Sequence, residues 1–166
     1  MTLSLIRFLN IIFAALLAGT SFGIWFGFNP TNYSASTYIE QQQNLVRSLN
    51  TLMISLVIIA TVVTLISAFL QRKNKTVFVS LLLAAAFFLS CMAITRFGNV
   101  PIQTEMLKWT VGSLPDNWTM LRDKWWSFHI MRTVVELIAL VLVAWTSSKQ
   151  NTANKMTSLV TSKVKR

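Results

Sequence analysis

The residues best suited to chemistry fall in one stretch, Arg122 to Glu136. Arg122, Trp125, His129, Arg132 and Glu136 are spaced 3, 4, 3 and 4, the rhythm of one face of an α-helix. That face would offer a base, either His129 or Glu136, and arginines able to hold an anion. Arg132 and Glu136 stand four apart and can pair with each other; Arg96, at the outer end of the preceding apolar run, is another partner for the carboxylate. A bland account competes with this one: Arg132 snorkels to lipid headgroups, His129 and the tryptophans sit in the interfacial belt, and Glu136 neutralises an arginine. It covers Arg122 and Trp125 well. It covers Glu136 badly, because a carboxylate about ten residues into an apolar run cannot reach water on so short a stem.

The elements that must position this face are set by composition. Of the 166 residues, 54% are hydrophobic and only 12% charged, about half the ~25% of an ordinary soluble domain. The chain reads as an all-α, polytopic membrane protein, a four-transmembrane-helix bundle with spans at residues 8–28, 51–70, 76–95 and 126–146. Each span, at ~1.5 Å per residue, crosses a hydrocarbon core of ~30 Å. The first span, preceded by Arg7, continues through Trp25, Phe26 and Phe28 and reads as a retained helix rather than a signal peptide. Residues 1–148 form the transmembrane domain and 149–166 a basic tail.

Net charge is +10, and its distribution gives topology. Nine basic residues and no acid lie at the N-terminus, in the Arg72–Lys75 turn and in the tail. All five acids, with six basic residues, lie on the other side. Positive-inside bias therefore places both termini in the cytoplasm, in a plasma or inner membrane. The tail has no interleaved aromatics, so it reads as a lipid-facing topology determinant and not a nucleic-acid arm. The expected partners are the lipid bilayer and a hydrophobic small molecule, with a homo-oligomer or a partner membrane subunit left open.

The extracytoplasmic side carries more chain than a loop needs. Thr37-Tyr-Ile-Glu40 is a capping-box pattern that starts the second helix above the membrane. Asn99-Val-Pro101 begins a short helix with Ile102, Met106 and Trp109 on one face and Gly112 at its end. Ser113-Leu-Pro-Asp116 then opens the fourth long helix. A small helical cap on one side only is where a site belongs. Gly19, Gly23 and Gly27 form a small-residue ridge, expected to pack within the bundle rather than at a homodimer seam.

Much chemistry is excluded. One Cys and one His rule out an internal disulfide, a Cys-rich zinc site and a haem held by two histidines of this chain. There is no phosphate loop, HExxH, GxSxG or dinucleotide fingerprint. A metal on His129 with Glu40 or Glu105 has no support from spacing, so no metal is expected. Cys91, inside an apolar run, reads as a small buried side chain.

At these residues the chain resembles a known family. Asn99-Val-Pro101-Ile-Gln103, then Trp118-x3-Arg122-x2-Trp125, then Phe128-His129-x2-Arg132-Thr-Val is similar to the anthrone-oxygenase-like family of small four-helix membrane proteins. Gln103 and His129 stand where that family usually has Asn; Asn99, Trp125 and Arg132 match. The resemblance implies a cofactor-independent oxygenase converting an anthrone to an anthraquinone. In that reading His129 or Glu136 removes a proton while Arg132 and Arg96 stabilise the anion. Asn99 and Gln103 donate hydrogen bonds to substrate oxygens, and Trp109, Trp118 and Trp125 stack on the ring, with Arg122 at the pocket's edge. The alternative is a non-catalytic membrane protein that binds a lipid or small hydrophobic ligand, or an accessory subunit of a membrane complex.

Overall fold

In hydrocarbon every backbone polar group must be satisfied within the chain, and long apolar runs meet that demand as helices. The computed structural model describes the backbone of residues 2–164 and the side chains of residues 3–149. Its elements are α1 (Thr2–Gly27), a 3₁₀ turn (Pro30–Asn32), α2 (Ala35–Leu70), α3 (Lys75–Ile94), a π-helical segment (Thr95–Asn99), α4 (Val100–Met106) and α5 (Trp118–Val164). Among the described residues there is no strand, and four helical stretches are long and apolar enough to cross a membrane. That is the make-up of a multi-pass membrane protein.

Helix α2 shows how the cap end is built. Its 36 residues rise about 54 Å, longer than a ~30 Å hydrocarbon core. Its start lies earlier than the Thr37–Glu40 pattern suggests. Ser34, in extended backbone, caps the helix by accepting the Thr37 N–H at 3.3 Å. Asn74 caps α3 in the same way, accepting from Val77 N–H at 3.3 Å.

Each long helix packs on two others: α1 on α2 and α5, and α3 on α2 and α5. The result is a four-membered ring of alternating direction whose diagonal pairs make little contact. Arg7 Nε donates to Gln71 Oε1 at 2.9 Å and so ties the start of α1 to the α2–α3 turn. Several polar residues inside the spans point inward, while Ser55 and Ser90 face out. Asn10, Thr61, Thr64 and Ser67 are buried between α1 and α2, and Thr64 Oγ1 donates to Asn10 Oδ1 at 2.7 Å. Around them lies a core of small and aliphatic residues including Ala14, Leu17, Leu56, Ala60, Leu81, Ala84 and Val143.

The glycine ridge does not pack within the bundle. Gly19, Gly23 and Gly27 are exposed, and a Cβ added at any of them would meet nothing within 4 Å. The helix instead turns Ala14, Leu17, Ala18 and Ser21 inward, so the ridge faces away from every neighbour in the chain.

The α3–α4 junction holds the largest departure from the expected course. No loop separates the third span from the short helix; a π turn joins them, with Val100 N–H bonded to Thr95 O. Pro101 explains it. Proline has no N–H to give the carbonyl four residues earlier, and its ring clashes there, so the helix must widen or break at Phe97. Helix α4 ends at Met106, before Gly112, and α5 begins at Trp118, just after the expected Ser113–Asp116 start. Ile102, Met106 and Trp109 are all buried, as their spacing predicts.

Candidate functional site

Two apolar clusters divide the bundle. The main core fills its lower part, and a second cluster at the cap end gathers Phe28, Tyr38, Ile39, Ile102, Met106, Trp109 and Trp125. Between them lies a cavity of about 450 Å³, with walls from α1, α2, α3, the π segment, α4 and α5. Its lining is mainly apolar, and its polar members include Asn50, Cys91, Thr95, Arg96, Gln103, Arg132 and Glu136. The π turn shapes one wall. Thr95 and Val100 both line it, although residues five apart in an α-helix point in different directions.

Helix α5 supplies the charged floor. Glu136 is fully buried, and its Oε1 accepts a hydrogen bond from Cys91 Sγ at 2.9 Å across the α3–α5 interface. Its other oxygen, Oε2, has no hydrogen-bond partner. The Ser21 side chain on α1 lies beside the carboxylate, and the charge of Arg132, one turn along α5, acts on it. Arg132 does not form the expected ion pair with Glu136. It turns back toward His129, with Nε and Nη2 at 3.2 and 3.1 Å from Nδ1.

That contact fixes the imidazole. A guanidinium has donors only, so Nδ1 must present its lone pair, and the ring proton sits on Nε2, which donates to Ser21 O at 3.2 Å. Trp125 and Trp126 hold the ring in place, nearly parallel to it at 5.4 and 5.3 Å between centroids. His129 is fully buried and is not among the cavity-lining residues. Both its nitrogens are engaged in holding other groups.

The remaining sequence-selected residues separate into three sets. Arg96, Gln103 and Trp125 line the cavity with Arg132 and Glu136. Asn99 is buried behind the wall, where its Nδ2 donates to Trp125 O at 3.0 Å and bridges the π segment to α5. Trp109, Trp118 and Arg122 belong to the cap: Trp109 is packed in the aromatic cluster, and Arg122 lies 5.2 Å from the Trp118 ring centroid while pairing with Asp123 at 2.8 Å. Glu105, one of the carboxylates weighed as a metal ligand, pairs with Lys108 at the exposed surface.

The family model described as Anthrone oxygenase matches residues 43–142, well over half of the chain. The chain belongs to the anthrone oxygenase family. No curated protein and no solved structure matches it at significant similarity. The stretch matched to the anthrone oxygenase family holds every polar residue of the cavity wall. Helix α1 lies outside that stretch, yet it supplies Leu17 and Ile24 to the wall and the Ser21 carbonyl to His129.

Cys91 and Ser21 are the site residues that sequence reasoning passed over. Cys91 looked inert inside an apolar run, and Ser21 was one small residue among several in α1. The Ser21 contact to His129 uses its backbone carbonyl, which any residue type would supply, so the side chain carried no signal for it.

Proposed function

We propose that this anthrone oxygenase family member is a membrane-embedded oxygenase that needs no redox cofactor. Its substrate is a hydrophobic aromatic ketone of the anthrone class, Glu136 is the base, and Arg132 stabilises the substrate anion. One observation carries the reading: a buried carboxylate with an unpartnered oxygen on the wall of an apolar cavity, one turn from an arginine anchored by His129. An anthrone carries an acidic CH₂ opposite its carbonyl. Transfer of one CH₂ proton to Glu136 leaves an anion whose charge spreads onto the ketone oxygen, where Arg132 can donate to it. The electron-rich carbon then reduces dioxygen and forms a C–O bond to it. Cleavage of the O–O bond with loss of the second C–H proton gives the quinone carbonyl and one water, so ketone plus dioxygen equals quinone plus water.

The geometry also favours particular supporting roles. Two of the five N–H groups of Arg132 go to His129 Nδ1, which leaves three for an anion. His129 is thus a positioning residue rather than the base. Gln103, on the wall, is the amide that can meet a substrate oxygen, whereas Asn99 spends its N–H₂ on the Trp125 carbonyl. Trp125 offers a ring face and an unpartnered Nε1 donor. Trp109, Trp118 and Arg122 close the cap over the chamber and do not touch substrate. Trp125 and Glu136 are eleven residues apart on one helix, about 16 Å of rise, which suits a fused-ring molecule lying along the axis. The charge bias places the cap and the cavity outside and both termini in the cytoplasm.

A second reading, binding of a lipid or hydrophobic ligand without turnover, draws on the mainly apolar lining. One experiment separates the two. Purified protein in lipid nanodiscs is given an anthrone, and oxygen uptake and quinone absorbance are followed. Glu136→Gln keeps the acceptor for Cys91 and removes the base, so turnover falls by about 10²–10⁴-fold. Saturable binding of the anthrone with no acceleration in the wild type would leave only the ligand-binding reading.

A further inference from the structure

We propose that the cavity is loaded sideways, from within the bilayer, through a portal between α2 and the α3–π junction. The portal is framed by Asn50, Ile54, Ala93, Arg96 and Phe97. This rests on the cavity being a ligand site, and it adds the route by which a ligand arrives.

The argument starts from which lining residues reach the outside. Those on α1 and α5 are buried or half-buried: Leu17, Ile24, Trp125, Arg132 and Glu136. The exposed ones are the five named above, all on α2 or on α3 and the π segment. An enclosed chamber whose exposed lining sits on two adjacent helices opens between them.

The depth of that opening decides what it faces. Asn50 and Ile54 bracket the start of the second apolar span, and Ala93, Arg96 and Phe97 bracket the end of the third. Both sides therefore lie where hydrocarbon gives way to headgroups. Phe97, 79% exposed, stands out from the helix at that level, and Arg96 beside it suits the phosphate layer. A hydrophobic ring system with a polar oxygen concentrates at this depth, as aromatic side chains do.

The other routes are closed. Above the chamber the aromatic cluster of the cap is packed, and Gln43 Nε2 on α2 reaches the carbonyls of Met106 and Trp109 at 3.3 and 3.0 Å and ties the cap down. On the far side of the π segment, Gly98 lies so close to α5 that an added Cβ would sit 2.7 Å from the Phe128 ring. The junction is sealed against α5 and parts from its neighbours only on the α2 side.

Cys91, the single cysteine, lines the chamber and reports on access without any turnover. The full chain is reconstituted in phosphatidylcholine vesicles and treated with N-phenylmaleimide, which partitions into the bilayer, or with a sulfonated, membrane-excluded maleimide. Alkylation of Cys91 is followed by intact-protein mass spectrometry. The lipid-soluble reagent is expected to label at least tenfold faster. Ala93→Trp and Ile54→Trp, which fill the portal from opposite lips, are each expected to slow that labelling tenfold or more, with labelling after unfolding in detergent unchanged. Gln43→Ala, which loosens the cap, leaves the rate as it was. Should one tryptophan variant fail to fold by its thermal transition, the other decides. The proposal is overturned if a folded portal variant labels at the wild-type rate, if the sulfonated reagent labels as fast, or if only Gln43→Ala changes the rate. Because alkylation needs no anthrone, a failure of the oxygenase reading leaves this result standing, and the reverse also holds.

Discussion

His129→Phe separates a positioning role for the imidazole from a catalytic one. Phenylalanine keeps a planar ring beside Trp125 and Trp126, where the imidazole is nearly parallel to both, and removes both nitrogens. The losses are the shared acceptor for Arg132 Nε and Nη2 at 3.2 and 3.1 Å and the donor to Ser21 O at 3.2 Å. A hydrogen bond to a charged group contributes about 1.5–3 kcal/mol and a neutral one about 1 kcal/mol. The sum is ~2–4 kcal/mol of stability, reduced to the extent that the half-buried Arg132 finds another acceptor. The larger effect is on rate. A positioned donor to a developing oxyanion is worth ~3–4 kcal/mol, or about 10²–10³ in kcat, and an unanchored Arg132 gives that up. Anthrone-dependent oxygen uptake should therefore drop by two to three orders of magnitude in His129→Phe. Adding Arg132→Ala should then cost no more than about threefold, since the histidine acts only through the arginine. Wild-type turnover in His129→Phe would refute the reasoning. So would losses that multiply in the double variant, because a histidine that takes the proton itself contributes independently of Arg132.

Two further predictions address the scaffold. Gly98→Ala drives a Cβ to within 2.7 Å of the Phe128 ring, an overpacking that costs ~1–3 kcal/mol; the thermal midpoint should fall, and Phe128→Leu should restore part of it. Gly23→Ala, by contrast, puts its methyl into open space and should leave the midpoint unchanged or slightly raised, since alanine is the better helix former. A large loss of stability in Gly23→Ala would mean that the ridge is covered after all.

The four long apolar helices and the polar face of the last one were legible, because hydropathy and helical period are local properties. Side-chain choice along that face was not. Arg132 has His129 three residues before it and Glu136 four residues after it, and period alone allows either pairing. The outcome depends on Trp125 and Trp126 flanking the imidazole and on Ser21 O accepting its N–H, and Ser21 lies on another helix. Cys91 escaped for the same reason. Its contact with Glu136 is a matter of α3–α5 register, which no single-helix pattern contains. The glycine ridge misled because small residues show that a helix face is thin but do not say what lies against it.

Within a bilayer, apolarity loses its power to mark the interior. Ile58, Val79 and Val141 face outward and are as apolar as Leu56, Leu81 and Val143, which face in. What marks the inside more often is polarity, since a polar group turned to lipid has no partner beyond its own helix, as Ser90 has in the Ala86 carbonyl. Asn10, Ser21, Thr64, Ser67, Thr133, Glu136 and Thr146 are all buried. Most of them are matched: Thr64 to Asn10, Thr133 to the His129 carbonyl and Thr146 to the Val143 carbonyl. Ser21 Oγ and Glu136 Oε2 are not, and of these two residues only Glu136 carries an acid and borders a chamber of about 450 Å³. A packing role would be met by an amide or a hydroxyl at far lower cost in this setting. The half-satisfied carboxylate on the chamber wall is therefore poorly explained by packing alone, and Glu136→Gln is the substitution on which the two accounts part: it is neutral for a packing residue and disabling for a base.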